Sequence, residues 1–255
     1  MKRIRDWFFT IPALIGIGGT LVLFEILGRL SLLRGLSSFE RTMTTLQRVL
    51  LKAFGIAGTS ISVKGADNLE PDAGYILISN HQSLLDIPIL GGLLSSNIPK
   101  FIAKQELARR IPSVSLYLNK GGNGVIDRRD RDQALDIIAE VGREAQRRRV
   151  SVVIFPEGTR SRDGTLGAFR SAGAKALLEA APNLPIIPTA IDGSWRVMEN
   201  NFLPIPYGTK VRVRFGEPIA RHVGEDPAKV IAECRNWIEG TLEEWRVSPL
   251  AGEGA

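Results

Sequence analysis

Residues 75–86 read Tyr-Ile-Leu-Ile-Ser-Asn-His-Gln-Ser-Leu-Leu-Asp, an apolar run that passes directly into a polar turn. A short, continuous apolar run is typical of a strand that helices cover on both faces of a sheet. Pro88 follows, and because proline is tolerated only near a helix start, a helix is expected to begin near Asp86. The stretch therefore predicts a strand, a turn and a helix, in that order.

A similar alternation of strands and helices continues along most of the chain. Strands are predicted at Ile61–Lys64, Tyr75–Ser79, Lys100–Ala103, Gly124–Asp127, Val150–Phe155, Pro185–Ile191 and Lys210–Phe215. Helices are predicted at Ile87–Leu94, Arg131–Arg148, Ser171–Ala180 and Asp226–Trp245. Alternating elements of this kind indicate an α/β fold, in which a layered, mostly parallel sheet is flanked by helices.

The last predicted strand, residues 210–215, has a different pattern from the others. Its apolar side chains alternate with two arginines, Arg212 and Arg214. One apolar face and one charged face are typical of a strand at an edge or at a half-exposed position of a sheet. We therefore expect residues 210–215 to occupy such a position.

An apolar stretch near the N-terminus, from Trp7 to Phe24, predicts membrane association. Its length of about 18 residues reaches the lower limit for spanning a bilayer. No small-residue cleavage site follows it, which disfavours a secretory signal. A spanning helix and a helix that only enters one leaflet both stay open, since glycines near residue 18 could bend it. Basic residues such as Lys2 and Arg29 lie on both flanks, so loop charge does not decide the orientation.

The next segment predicts an amphipathic helix. Apolar residues recur at helical spacing at Phe39, Met43, Leu46, Leu50 and Phe54. This helix packs on the globular domain in one interpretation and lies on acidic lipid in the other. Glycines at 55 and 58 then mark a boundary. The predicted organisation is N-terminal membrane-associated helices over residues 1–58, an α/β domain over 59–247 and a disordered tail over 248–255.

The composition limits the classes of site and of partner. A single cysteine excludes a disulfide framework, and two histidines disfavour a histidine-rich metal site, so no metal is expected. The net charge of +6 suits an anionic partner such as a phosphate ligand or an acidic membrane surface. No nucleic-acid motif accompanies that charge, so a nucleic-acid partner is not expected.

His81 and Asp86 are the strongest candidates for catalysis. A carboxylate on one imidazole nitrogen holds the tautomer in which the other nitrogen accepts a proton. Residues five apart on a helix point about 140° away from each other, so the two side chains meet only if His81 lies on the turn before the helix. Asp86 could instead be a plain helix cap, a part that Ser83 could also play.

A second polar cluster, residues 155–161, reads Phe-Pro-Glu-Gly-Thr-Arg-Ser and again follows a predicted strand. Gly158 permits a tight turn, and the guanidinium of Arg160 suits paired hydrogen bonds to phosphate. Glu157 either orients these arginines or accepts a substrate hydroxyl; a solvated loop with a local ion pair is the plain alternative. Arg128, after another strand, is a further phosphate candidate.

Four blocks occur in order: Asn-His-x4-Asp at 80–86, Ile-Asp-Arg at 126–128, the cluster at 155–161 and Pro-Ile-Ile-Pro at 185–188. With these blocks the chain resembles the glycerolipid acyltransferase family over roughly residues 69–218. The resemblance implies that His81 and Asp86 form a catalytic dyad. It implies acceptor binding by Lys104, Arg128, Glu157, Gly158, Thr159 and Arg160, and an acyl-donor pocket at Ile187 and Pro188.

The resemblance also implies a reaction. It is closest to the members that transfer a fatty acyl group to the sn-2 hydroxyl of 1-acylglycerol 3-phosphate, which is lysophosphatidic acid, to give phosphatidic acid. The donor would be acyl-CoA or acyl-carrier protein as a co-substrate, with no other cofactor, and membrane lipid would be a partner. We expect a membrane-associated enzyme with its active site on the cytoplasmic side. Alternatives are an acyltransferase for another lysophospholipid or a lyso-aminolipid, and a non-catalytic lipid-binding module.

Overall fold

The computed structural model describes residues 2–222 and 224–247, so the predicted tail at 248–255 lies outside the described residues. Its strands are β1 (Ser60–Lys64), β2 (Ile76–Ser79), β3 (Lys100–Lys104), β4 (Gly124–Ile126), β5 (Val152–Ile154), β6 (Ile186–Asp192) and β7 (Lys210–Phe215). Its helices are α1 (Lys2–Leu32), α2 (Leu36–Ile56), α3 (Asp86–Leu93), α4 (Val114–Lys120), α5 (Arg131–Arg148), α6 (Ser171–Ala180) and α7 (Pro227–Val247).

The seven strands form one sheet in the order β1-β7-β6-β2-β5-β3-β4. Every neighbouring pair is parallel except β6 and β7, which run antiparallel. The prediction of a mostly parallel sheet flanked by helices is confirmed. In β2 the side chains alternate between two hydrophobic clusters, Leu77 in one and Ile76 and Ile78 in the other. Successive side chains of a strand point to opposite faces, so both faces of the sheet are covered.

The prediction that residues 210–215, now β7, occupy an edge or a half-exposed position is wrong. β7 lies between β1 and β6, and Arg212 is only 8% exposed. The guanidinium of Arg212 is 2.7 Å from the carboxylate of Asp192 and lies over the ring of Trp245. Arg214 pairs with Glu244, which also belongs to α7. The charged face of the strand is therefore buried beneath α7, which supplies the partners that the strand's own sequence does not reveal.

Helices α1 and α2 pack closely against one another and against the sheet domain. A Cβ atom at Gly28 would lie 2.4 Å from the terminal methyl of Met43, so glycine permits this approach. Phe39 and Met43 are fully buried and belong to the same hydrophobic cluster as Leu77 of β2. Packing on the domain is therefore the interpretation of α2 that the structure supports. The division of the chain at residue 58 stays a prediction.

Helix α1 is the one helix in residues 2–222 and 224–247 that is long and apolar enough to cross a membrane by length and composition. Many of its large apolar side chains are exposed, among them Ile4, Phe8, Ile15, Val22 and Leu30. An extended apolar surface of this kind marks an interaction with lipid or protein. The exposed face of α1 therefore fits the predicted membrane association, and the orientation relative to a bilayer stays a prediction.

Candidate active site

His81 and Asp86 meet at the carboxyl end of β2. The turn after Ser79 carries His81, and Asp86 is the first residue of α3. Nδ1 of His81 is 2.8 Å from Oδ2 of Asp86. The predicted arrangement, a histidine on the turn facing a carboxylate in the first turn of the helix, is the one observed. A carboxylate can only accept, so Nδ1 is the protonated nitrogen and Nε2 can accept a proton.

The carboxylate of Asp86 is completely buried and fully supplied with donors. Oδ2 also accepts the backbone N–H groups of Gln82 and Ser83, at 2.7 and 2.9 Å. Oδ1 accepts the hydroxyl of Ser194, which lies just after β6. A buried charge is tolerated only when it is hydrogen-bonded, and these contacts meet that requirement. Asp86 therefore also holds the turn in the manner of a cap, in addition to its contact with His81.

Asn80 joins the turn that carries His81 to β6. Its side-chain nitrogen donates to the carbonyl of Ile191 at 2.7 Å, and its side-chain oxygen accepts the N–H of Ile191 at 2.8 Å. The amide thus takes the place of a backbone strand partner. Since Asn80 is 2% exposed, these two bonds are shielded from water and fix the position of the neighbouring His81.

Glu157 accepts hydrogen bonds from two backbone groups, and acceptance of a substrate hydroxyl by its carboxylate stays a prediction. One carboxylate oxygen accepts the backbone N–H of His81 at 2.7 Å, and the other accepts the N–H of Gly167 at 2.8 Å. The expected orientation of the neighbouring arginines by Glu157 is not found, because both oxygens face backbone donors. Burial raises the pKa of Glu157, and the two backbone hydrogen bonds partly oppose that rise. Glu157 therefore braces the turn that carries His81.

Two further contacts hold the imidazole in place. The ring of Phe155 stacks on the ring of His81, with centroids 4.1 Å apart and planes inclined by 17°. The carbonyl of His81 accepts the N–H of Ser161 at 2.8 Å. The loop at 155–161 therefore lies directly against the turn that carries His81, so the structure brings together the two clusters, whose residues His81 and Glu157 are 76 positions apart in the chain.

Cationic side chains gather beside His81. Arg128 and Lys104 line the same cavity as His81, together with Arg170 at the start of α6. Burial lowers the pKa of Arg128, and the positive charges of Arg170 and Arg160 lower it further. A group of cations favours an anionic ligand, and guanidinium groups suit phosphate. The ammonium of Lys104 is 3.0 Å from the carboxylate of Glu106, and both side chains are exposed.

The loop with Gly158, Thr159 and Arg160 forms the rim of this cationic region. Gly158 has a φ of 66°, a conformation that glycine adopts without strain and that permits the predicted tight turn. Thr159 and Arg160 line a shallow depression of about 220 Å³ next to Glu157. The guanidinium of Arg160 lies 3.6 Å from the sulfur of Met198. The exposed side chains of Thr159 and Arg160 are therefore accessible to an anionic ligand.

A large apolar cavity of about 880 Å³ adjoins His81. Its walls come from both sheet faces. One side is lined by Leu21, Leu46, Leu50, Phe54 and Tyr117, and the other by Ile102, Ile138, Phe169 and Ala174. Lys104, Arg128 and Arg170 belong to the lining of the same cavity, so it suits a ligand that has both an apolar chain and an anionic group. The arrangement places a proton acceptor in one cavity with apolar walls and a cationic part.

Ile187 and Pro188 lie elsewhere. Both are buried within β6, where they pair with Leu77 and Ile78 of β2. Other residues line the apolar cavity. The predicted acyl-donor pocket at Ile187 and Pro188 therefore finds no counterpart in the position of these side chains, which belong to the core of the sheet.

Sequence reasoning missed Ser194 and Arg170. Ser194 contacts Asp86 from 108 positions away, and nothing in its local sequence marks this contact. Arg170 directly precedes a correctly predicted helix, and this position was the available signal, since a helix N-terminus attracts anions. Among residues 2–222 and 224–247, no group of three or more His, Cys, Asp or Glu side chains could hold a metal ion.

Comparisons with known proteins agree with this geometry. The family described as Acyltransferase matches residues 60–192, which is more than half of the chain. The 1-acyl-sn-glycerol-3-phosphate acyltransferase alpha of Mus musculus is 31% identical over 173 residues, 67% of this chain and 59% of that protein. The 1-acyl-sn-glycerol-3-phosphate acyltransferase BAT2, chloroplastic, of Brassica napus is 32% identical over 181 residues, 71% of this chain and 50% of that protein.

The chain therefore spans 50 to 59% of the length of these two relatives. Among solved structures, the 1-acyl-sn-glycerophosphate (LPA) acyltransferase, PlsC, from Thermotoga maritima superposes with a TM-score of 0.77. The match covers 96% of this chain and 98% of that one at 24% identity, which shows a shared fold. With the family match across the strands and turns that carry His81, Asp86 and Glu157, this chain belongs to the acyltransferase family.

Proposed function

We propose that this chain transfers a fatty acyl group from a thioester to the sn-2 hydroxyl of 1-acylglycerol 3-phosphate, giving phosphatidic acid. The observation that carries the proposal is the place of the His81–Asp86 pair, at a cavity whose lining is mostly apolar and in part cationic. A lysophospholipid with a phosphate head has one apolar chain, one anionic group and one free hydroxyl between them. The site therefore offers a complementary partner for each of these three groups.

His81 is the general base of the proposed reaction. Nε2 takes the proton of the acceptor hydroxyl as its oxygen attacks the thioester carbonyl, and a tetrahedral intermediate forms. The carbon–sulfur bond then breaks, and the imidazolium returns the proton to the leaving thiolate. Asp86 stabilises the imidazolium through its contact with Nδ1. General base catalysis of this kind contributes roughly 10²- to 10⁴-fold, and positioning contributes much of the remainder.

The cations hold the acceptor. Arg128 and Arg160, with Lys104 and Arg170 nearby, would bind the phosphate and place the sn-2 hydroxyl near His81. The name of the mouse relative specifies 1-acyl-sn-glycerol 3-phosphate as the acceptor, which supports this choice for the present chain. Acyl-CoA or acyl-carrier protein would be the donor, and neither a metal nor a covalent acyl-enzyme takes part in the proposed steps.

The apolar features suit a substrate that stays in a bilayer. The cavity would receive acyl chains, and α1, whose exposed face is apolar, would hold the protein at the membrane that contains the acceptor. Placement of the active site on the cytoplasmic side of the membrane is part of this proposal. The product, phosphatidic acid, would make the reaction a step in phospholipid biosynthesis.

Single-turnover acyl transfer by the purified full chain in vesicles tests the proposal. Acyl-CoA and acyl-carrier-protein donors are each paired with 1-acylglycerol 3-phosphate, another lysophospholipid or a lyso-aminolipid. We expect transfer to the first acceptor, and loss of roughly 10²-fold or more in His81→Ala. The matched control is His222→Ala, since His222 is the other histidine and is exposed. Normal turnover of His81→Ala, or preference for a different acceptor, would contradict the proposal.

A further inference from the structure

Two polar side chains near the start of α1 are buried, although most of the helix surface is apolar and exposed. Asp6 is 5% exposed and Thr10 is fully buried. A carboxylate oxygen of Asp6 accepts the backbone N–H of Tyr207 at 3.1 Å. The hydroxyl of Thr10 accepts the N–H of Ile205 at 2.9 Å. Both polar side chains therefore bind the segment that precedes β7.

Aromatic contacts strengthen this attachment. The rings of Phe9 and Tyr207 lie with centroids 4.3 Å apart, and the guanidinium of Arg5 lies 5.1 Å from the centre of the Tyr207 ring. Hydrogen bonds and ring contacts together join residues 205–207 to the first turns of α1. If α1 enters a bilayer, this segment has to move to the bilayer with it.

The residues just before this segment expose large apolar side chains to solvent. Phe202 is 52% exposed and Leu203 is 41% exposed. Phe202 also has a φ of 82°, a conformation that is rare and costly for a bulky residue. Ile205 is hydrogen-bonded to α1, and three residues span at most about 11 Å, so Phe202 lies within that distance of Ile205. A costly backbone conformation thus accompanies an exposed aromatic ring beside an apolar helix.

Three cations, Lys2, Arg3 and Arg5, are exposed at the start of α1, and Arg5 contacts Tyr207. Two acidic residues accompany them, Asp6, which is buried and lies 3.6 Å from Arg5, and Glu199, which is exposed, so the exposed charge beside this segment is mainly positive. Basic side chains beside exposed apolar and aromatic ones are typical of a surface that binds acidic lipid, because the cations meet the headgroups and the rings enter the interface. A bilayer fits both features, and the same bilayer would cover the exposed apolar face of α1.

We propose that residues 201–207 form a second membrane-contacting element, which inserts Phe202 and Leu203 into an acidic bilayer beside α1. We name residues 201–207 the membrane loop. Together, the membrane loop and α1 give the domain two points of attachment to the bilayer. Two attachments fix the tilt of the domain on the membrane, whereas one helix alone would leave the domain free to rotate about it. This inference does not depend on the acceptor or on the chemistry at His81.

A fluorescent label at residue 202 tests the proposal in the full chain. Cys234 is the only cysteine, it is buried, and burial raises the pKa of its thiol to about 12, so an introduced cysteine is the thiol that reacts. An environment-sensitive dye is attached in Phe202→Cys, and the protein is added to vesicles of phosphatidylcholine and phosphatidylglycerol. We expect a blue shift of emission and loss of quenching by aqueous iodide.

Glu140→Cys provides the matched control, because Glu140 is exposed on α5, which packs on the opposite face of the sheet from α1. Its label should stay in water and keep its iodide quenching. Leu203→Cys is labelled in parallel in case Phe202→Cys fails to fold, as judged by thermal unfolding. The proposal is overturned if labels at 202 and 203 remain as accessible to iodide as the label at 140.

Discussion

The hydroxyl of Ser194 donates a hydrogen bond to Oδ1 of Asp86, although the two residues are 108 positions apart. Ser194 follows β6 and Asp86 follows β2, and these strands are neighbours in the sheet. The hydroxyl is the main donor to Oδ1, since the other one, Ser83 Oγ, is 3.4 Å away. Ser194 therefore acts as a positioning residue for the carboxylate that holds His81.

Replacement of Ser194 by alanine should lower kcat about tenfold, because a hydrogen bond to a charged group contributes roughly 1.5–3 kcal/mol. KM for the acceptor should change little, since Ser194 does not line the cavity. Ser194→Thr keeps the hydroxyl and should restore most of kcat. Steady-state kinetics on all three proteins check this; an equal loss in the alanine and threonine variants would point to packing rather than to the hydrogen bond.

Replacement of Arg160 by alanine should weaken the use of phosphate-bearing acceptors. Loss of a guanidinium–phosphate contact costs roughly 1.5–3 kcal/mol, which corresponds to about 10- to 150-fold in kcat/KM. Acceptors without a phosphate should be used at an unchanged rate. Arg143→Ala is the matched control, because Arg143 is also exposed but pairs with Glu140 on the far side of the sheet. A uniform loss across all acceptors would contradict phosphate binding by Arg160.

The sequence predicted the dyad because its determinants are local. His81 and Asp86 are five residues apart, and a strand, a turn and a helix start are each visible in the residues between Tyr75 and Pro88. Helices with clear periodicity were predicted with the observed bounds, as in α5 and α6. Helix α4 was not predicted, since seven residues are too few for a periodic pattern to emerge.

Long-range contacts were the part that the sequence did not reveal. Glu157 lies beside arginines in the chain, yet its two oxygens accept N–H groups at positions 81 and 167. Arg212 was expected on an exposed face, yet Asp192 and Trp245 bury it. In each case the partner comes from a distant element, so the neighbouring residues carry no information about it.

Glu157 should give the stability of the protein a dependence on pH. Burial raises the folded-state pKa of Glu157 above the ordinary value of 4.5, so the folded state binds the proton more tightly than the unfolded state. The resulting stabilisation is fully present below 4.5 and is lost as the pH rises through the folded-state pKa. The free energy of unfolding of wild type relative to Glu157→Gln should therefore fall with rising pH over this window. Denaturant titrations at several pH values measure it, and a rise would contradict the assigned burial.

Alanine substitutions at Gly193 and Gly208 distinguish the effect of a steric clash from the effect of backbone strain alone. Both have positive φ, 87° and 81°. A Cβ atom at Gly193 would lie 2.2 Å from the carbonyl oxygen of Lys210, whereas one at Gly208 would meet no atom within 4 Å. Because a backbone clash adds to the strain, Gly193→Ala should destabilise by about 3 kcal/mol or more, and Gly208→Ala by roughly 1 kcal/mol.

Gly193 also directly precedes Ser194, so we expect a backbone shift that relieves the clash to displace the hydroxyl of Ser194 relative to Asp86. Gly193→Ala should therefore lose activity even under conditions in which it is fully folded, and Gly208→Ala should keep it. Thermal unfolding gives the stabilities, and acyl transfer by the folded proteins gives the activities. Equal destabilisation by the two substitutions would show that the clash with Lys210 is relieved without cost, and full activity of folded Gly193→Ala would show that the contact between Ser194 and Asp86 tolerates the shift.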